Sequence, residues 1–297
     1  AQVGLFLKRV LKKKLIFDFR GLWVDERIDK GGWDLSNFFH RLQYKYFKRV
    51  EKKLLAQADQ IVVLTNKVVS EVVKLGASPP SKITVIPCCA DFNHFPLLTD
   101  ISILEAKTLT GIPDNAFVLG YLGSVGDMYM LDHLFHLYEL TKNVRDDYHL
   151  LIITQDITAL EDLMKRYLKP HLHSFIHIKS ASRDDVPRLL PAISIMVSFI
   201  SPSYARIAAS PTKVAESFAV GVPIIANHGV GDISSIINEV DGGIVVDSFA
   251  DEDLMKVVNK LDSVYSKRGR KLRDAAYPIL GLKVAERSYK SIYDALK

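Results

Sequence analysis

The chain has only two cysteines, Cys88 and Cys89, and they are adjacent. Neighbours in sequence do not form an ordinary cross-link, so a disulfide framework is excluded and a reducing cytoplasm is the expected compartment. The pair reads most simply as two small buried residues at a strand end. No apolar run approaches the roughly eighteen residues of a membrane-spanning helix. The opening Ala1–Arg9 does not show a secretory signal's order of basic segment, apolar segment and small-residue cleavage site. Short repeats and low-complexity tracts are missing. So are a phosphate loop of the type G-x-x-x-x-G-K-S/T and a dinucleotide fingerprint G-x-G-x-x-G.

What is present is a foldable chain of 297 residues, 48% hydrophobic and 25% charged. That length implies two domains, and that composition argues against disorder. The net charge is +5, which favours anionic partners (a nucleotide, a phosphorylated lipid, a membrane surface) without choosing among them. Nucleic acid is disfavoured, because the basic residues are not interleaved with stacking aromatics on a recognisable module.

Periodicity organises the chain into two α/β series. Strands are expected at Leu15–Phe19, Gln60–Leu64 and Ile83–Pro87, with helices at Asn37–Gln57 and Lys67–Leu75. In the long helix Phe38, Leu42, Tyr46, Val50 and Leu54 recur every four residues, and the rest is rich in Lys and Arg. This basic helix 37–57 reads as a solvated face or as a contact with a membrane surface. Residues 92–116 are expected to connect the halves. The second series has strands at Phe117–Tyr121, His149–Ile153, Phe175–Ile178, Ile193–Phe199, Val222–Ala226 and Gly243–Val246. Its helices fit Met130–Thr141, Ile157–Leu168, Arg183–Leu190, Pro211–Val220, Ile233–Asn238 and Asp251–Val264, with a last one at Val284–Leu296. Six strands against three, with no glycine turn in the first half, imply that the first domain lacks its beginning.

Three turns of the second half follow a strand and precede a helix. Gly120-Tyr-Leu-Gly123-Ser124-Val-Gly126 has glycines that let a backbone approach a phosphate. In Ser210-Pro211-Thr212-Lys213-Val-Ala-Glu216, Ser210 suits an N-cap and Pro211 the first helical position. Lys213 with Arg206 could neutralise a pyrophosphate at the helix start. Glu216 is too far in to complete a capping box, and a carboxylate there could accept from two ribose hydroxyls. His228-Gly229-Val-Gly231-Asp232 offers backbone N–H groups to a sugar, with Asp232 as an N-cap. In the first half, Asp18 and Arg20 follow an apolar strand and point to one side, which marks a polar cleft or a structural ion pair. Asp251-Glu-Asp253 is read as a helix start complementing its dipole rather than a metal motif. His171, His173 and His177 lack a second ligand cluster for zinc.

Taken together these residues resemble the retaining glycosyltransferases of family 4. The likeness rests on Gly123-Ser-Val-Gly126, the 210–216 run with Gly221-x-Pro223, Gly229-Val-Gly231-Asp232, and Val85-Ile-Pro87-Cys-Cys-Ala-Asp91-x-x-x-Phe95. Phe17-Asp-Phe-Arg20-Gly-Leu-Trp23 is similar to a segment of the family's bacterial cell-surface polysaccharide members. The resemblance implies an α/β fold of GT-B type, with two Rossmann-like domains, parallel sheets and a truncated first domain. Residues 1–95 would be the acceptor domain, 96–283 the nucleotide-sugar domain, and 284–297 a helix returning to the first. It implies a hexosyltransferase that uses no metal or cofactor beyond its nucleotide-diphosphate sugar. A glycan or lipid-linked hydroxyl would be the acceptor, in the cytoplasm at the inner face of the membrane. Donor residues would be Gly123, Ser124, Ser210, Pro211, Thr212, Lys213, Glu216, Gly229 and Gly231, with Glu216 on the ribose and Lys213 on the diphosphate. Asp18, Arg20, Arg206 and Lys213 would serve the chemistry. Three features depart from the family pattern: Ala208 stands where many members carry a glutamate, Asp127–Met130 stands where a basic pair is usual, and the family's first strands with their own glycine turn are missing. A sugar-nucleotide epimerase of the same fold, and a fragment or subunit that binds a nucleotide without chemistry, are the alternatives.

Overall fold

Among the described residues, short runs of Val, Ile, Leu and Phe between turns become nine strands, and every pairing between them is parallel. The computed structural model describes residues 2–297. A three-stranded sheet has the order β1 (Ile16–Phe19), β2 (Gln60–Val63), β3 (Ile83–Val85). A six-stranded sheet contains β4 (Phe117–Leu122), β5 (Tyr148–Ile153), β6 (Ile176–Lys179), β7 (Ile195–Ser198), β8 (Ile224–Asn227) and β9 (Gly243–Val246). Its order is β6-β5-β4-β7-β8-β9. The chain therefore builds outward from β4 in one direction, crosses back, and builds outward from β7 in the other. That reversal opens a crevice at the carboxyl ends of β4 and β7.

The central strands are buried and mostly apolar because helices cover both faces. Phe117, Leu119 and Tyr121 pack on one side with Leu134, Phe135 and Tyr138, while Val118 packs on the other with Phe218, Ala219 and Ile193. Gly120 belongs to this packing: a methyl group there would lie 2.4 Å from Ile193. It is a core glycine, not the phosphate-facing residue its place in the glycine series suggested.

Three helices were not legible in the sequence. Trp23–Asp29 and Arg270–Leu280 are short and amphipathic, and Asp100–Thr110 lies inside the expected connector. Thr99 caps the last of these through a reciprocal pair of hydrogen bonds with Ser102, a box without the acid that usually signals one. The expected helix 251–264 is broken into Asp251–Val258 and Leu261–Tyr265. The stripe on helix Phe38–Gln57 is not buried along its length: Phe38, Leu42 and Tyr46 are exposed, and only Leu54 is in the core. Nor are all its cations solvated, since Lys48 is bracketed by Asp25 at 2.8 Å and Glu51 at 2.5 Å.

The last helix, Leu282–Asp294, packs Ala285 and Ile292 against Val62 and Ile86 of the first sheet. Beside it Ala90 and Gly281 form a parallel bridge, so the two segments joining the halves run paired. No helix among the described residues is long and apolar enough to cross a membrane. On neighbouring strands β5 and β6, His149 and His177 place ring nitrogens 3.0 Å apart. Burial, then His177, brings the His149 pKa down to about 4. The unfolded chain thus binds more protons between that value and the ordinary ~6.5, so this contribution to stability is present above ~6.5 and is lost as pH falls toward 4. We expect His149→Gln to flatten the dependence of melting temperature on pH in that window, by up to about 3 kcal/mol. Parallel curves for the two proteins would show that His149 does not titrate on unfolding.

Candidate active site

The β4 turn and the start of helix Thr212–Val220 meet at the crevice between β4 and β7. Gly123 has φ of +146°, which side-chain-bearing residues rarely adopt. A Cβ at that position would stand 3.0 Å from the Lys213 amine. Lys213 is only 6% exposed, and its Nζ has no hydrogen-bond partner among the described residues. It lies 4.6 Å from the ring centre of Tyr121 and 4.3 Å from that of Tyr129. Burial pulls its pKa down to about 7, with Glu216 acting the other way. A buried ammonium with no carboxylate against it, at the positive end of a helix, is built to receive an anion.

Glu216 sits one turn further along the same helix. It lines a cavity of about 470 Å³ with His94, Arg183, Asp91 and Thr212. Burial raises its carboxyl pKa, against the pull of Arg183, Lys213 and His94. Thr212, Lys213 and Glu216 are therefore gathered at one helix end, as their spacing predicts. Exposed Ser124 follows Gly123, whose own N–H is taken by the Ile153 carbonyl, while the Val125 N–H goes to Asp156. Of the two N–H groups expected at this turn, Gly123 is thus already engaged.

Several other expected residues turn out to hold the two halves together. Ser210 does not cap the helix; its Oγ accepts from the Cys88 N–H at 3.0 Å, and Pro211 is the boundary residue before Thr212. Asp232 does not cap its own helix either. Its carboxylate accepts from the N–H groups of Asn66 and Lys67 and from the Asn66 side chain, all in the first half. The N–H of Gly231 is spent on the Arg206 carbonyl, so it is not free for a sugar, whereas Gly229 remains exposed. Arg206 is buried and paired with Glu26 of the first half at 3.0 Å. Ala208, at the position of the absent glutamate, is buried among Phe19, Leu22 and other apolar residues of the first half, where a carboxylate would be stranded.

Asp18 and Arg20 do share one side of β1, 3.5 Å apart and exposed, and Asp18 also accepts from the Tyr289 hydroxyl. Cys88 and Cys89 are half-buried free thiols, and burial pushes the Cys89 thiol up to about 11. Asp251 and Asp253 lie in the first turn of their helix, and Asp253 is engaged by Ser248 and Lys256. Among the described residues no group of three His, Cys, Asp or Glu side chains is placed to hold a metal ion. Sequence reasoning missed Tyr121, Tyr129, His94, Arg183 and Glu26. Tyr121 is hidden as an ordinary strand residue. Tyr129 falls in the Asp127–Met130 run, read there only for the bases it lacks.

The family model for glycosyl transferases group 1 matches residues 102–277, and that for glycosyltransferase family 4 matches residues 2–94. No curated protein matches the chain. Among solved structures, HepE of Anabaena in complex with UDP-glucose superposes with a TM-score of 0.73 at 13% identity, over 99% of this chain and 76% of that one. WaaG, a glycosyltransferase involved in lipopolysaccharide biosynthesis, gives 0.70 at 18% identity over 96% and 76%. The lipopolysaccharide outer core galactosyltransferase WaaB, in its apo form, gives 0.62 at 13% over 99% and 79%. At such identities these likenesses speak to the fold, and that fold is the GT-B arrangement of two parallel-sheet halves. Since one family model spans more than half of its length and a related one most of the remainder, the chain belongs to the group 1 glycosyl transferases.

Proposed function

We propose that the protein transfers a sugar from a nucleotide-diphosphate donor to a hydroxyl acceptor, with retained anomeric configuration. The observation that carries the donor half is the buried, unpartnered Lys213 amine at the helix start beside the β4 turn. The bond from the anomeric carbon to the diphosphate oxygen breaks, and negative charge develops on the leaving group. Lys213 and the N–H groups of Ser124 and Thr212 meet that charge with fixed dipoles and a cation that need no reorganisation. Glu216, above the cavity it shares with His94 and Arg183, accepts from the ribose hydroxyls. HepE has been seen with UDP and glucose and with UDP-glucose, which makes UDP the first donor fragment to try.

Asp18, Arg20 and Tyr289 line the carboxyl edge of β1, and we assign them to the acceptor side of the sugar. Arg206 supports the site indirectly, through its pairing with Glu26 across the two halves. No bound metal or cofactor is invoked, the donor's own charge being met by Lys213. A glycan or lipid-linked acceptor at the inner face of a bacterial membrane suits the exposed Phe38, Phe39, Leu42 and Arg41 of helix Phe38–Gln57. The assignment is tested by incubating the protein with UDP-sugars, with and without glycan acceptors. Acceptor-dependent release of UDP is the expected result. Conversion of the donor to its epimer without acceptor would replace this reading with an epimerase, and tight UDP binding with neither reaction would leave a binding subunit.

A further inference from the structure

We infer that Tyr121 and Tyr129 form an aromatic cage that positions the Lys213 ammonium for the donor's diphosphate, and that their ring faces, not a carboxylate, serve as its partner in the unliganded protein. The inference rests on the donor-site reading above. The two rings stand 77° apart in plane with centres 6.2 Å from each other, and the amine lies within 4.6 Å of both. Tyr121 is tied through its ring hydroxyl, and Tyr129 is fixed at its backbone and packs against both core clusters. Tyr121 is 2% exposed and donates its hydroxyl to the Ser124 carbonyl at 2.6 Å, which ties the cage to the turn itself. Tyr129 donates its backbone N–H to Gly126 at 2.8 Å and bridges to Ile200, while the Met130 N–H goes to Phe199.

The chemistry explains why rings and not an acid stand here. A carboxylate touching the amine would neutralise it and compete with the diphosphate. The negative faces of two aromatic rings favour the protonated amine without delivering a full countercharge. Asp127, Asp132, Asp162 and Arg166 line the cavity onto which Tyr129 opens, and none of them is among the groups that act on the amine. Glu216 faces the amine from its own helix, with Arg183 and His94 beside Glu216. Asp156 approaches Tyr121 from beyond β5, and its carboxylate is engaged by the Val125 N–H. Taking away a ring face should therefore make the amine give up its proton at lower pH, and diphosphate binding should fail earlier as pH rises.

Calorimetric titration with UDP between pH 6 and 9 tests this, each variant being compared with the wild type at the same pH so that ionisation of the ligand cancels. Tyr129→Phe should stay within about threefold of wild type throughout. Tyr129→Leu should bind about tenfold more weakly at pH 8 but little differently at pH 6, moving the midpoint of the pH dependence down by about one unit. Phenylalanines of increasing fluorination at position 129 keep the shape and withdraw ring charge; they should weaken binding in graded steps. Equal binding by all of these, with binding lost in Lys213→Ala, would overturn the cage while leaving the donor site in place. Equal loss in Tyr129→Phe and Tyr129→Leu would also overturn it, since the hydroxyl would then matter and not the ring. If Lys213→Ala binds UDP like the wild type, the donor reading itself falls.

Discussion

Lys213→Met should lose nucleotide-diphosphate binding by two to three orders of magnitude while leaving the fold more stable than before. The loss follows from removing one partner of a buried charge contact, which costs about 2–5 kcal/mol in comparable complexes. The gain follows from the same burial. In the wild-type protein the amine is held without a hydrogen-bond partner among the described residues, and its pKa is brought down to about 7. Below that pH the folded state carries the full cost of a buried charge. Between about 7 and the ordinary lysine value the unfolded chain binds the extra proton, so wild-type stability rises with pH across that interval. Methionine has similar length and no charge, so its advantage should be greatest below pH 7, about 1–4 kcal/mol, and should shrink above it. Thermal melts at pH 6 and 9 and calorimetry with UDP measure the two halves. A variant that binds UDP normally, or one that is less stable at pH 6, would contradict the assignment of this lysine. Sites that trade stability for binding in this way are a general expectation for active centres.

Gly231→Ala should lower stability by about 3 kcal/mol or more, a fall in melting temperature of about 5 °C or more. Gly231 has φ of +37°, and a methyl group there would stand 2.0 Å from the Ala209 carbonyl oxygen and 2.8 Å from Thr65. The first neighbour is backbone of the 206–210 segment, and the second is the methyl group of Thr65, a short side chain whose hydroxyl is held by the Ile207 carbonyl, so neither yields cheaply. The cost falls on the junction that also holds Asp232 to Asn66 and Lys67, and Thr65 to the Ile207 carbonyl. Gly126→Ala is the matched control, since an added methyl there meets nothing within 4 Å. Differential scanning calorimetry of the two variants decides the matter, and equal melting temperatures would refute the packing role given to Gly231.

The local alphabet of this protein was readable because it depends on short-range patterning. All nine strands occur where apolar runs lie between turns, and the parallel arrangement follows from helices falling between them. Lys213 and Glu216 were legible as a pair because three residues on a helix make one face. The helices Trp23–Asp29 and Asp100–Thr110 were not. Their stability comes from neighbours distant in sequence, and their own composition carries little signal.

The sequence by itself determined the two α/β series, the turn-to-helix units and the presence of a cation and an acid at one helix start. Only the tertiary structure decided what each of these faces. Ser210, Gly231 and Asp232 have the local chemistry of caps and ligand contacts, yet packing turns them onto Cys88, Arg206 and Asn66. Tyr121 and Tyr129 have no local mark at all, yet they flank the one buried amine without a hydrogen bond among the described residues. A hydrogen-bonding group reveals its capacity in sequence. Its partner is set by which surfaces the chain brings together, because burial forces each polar group to bond whatever lies within about 3 Å of it.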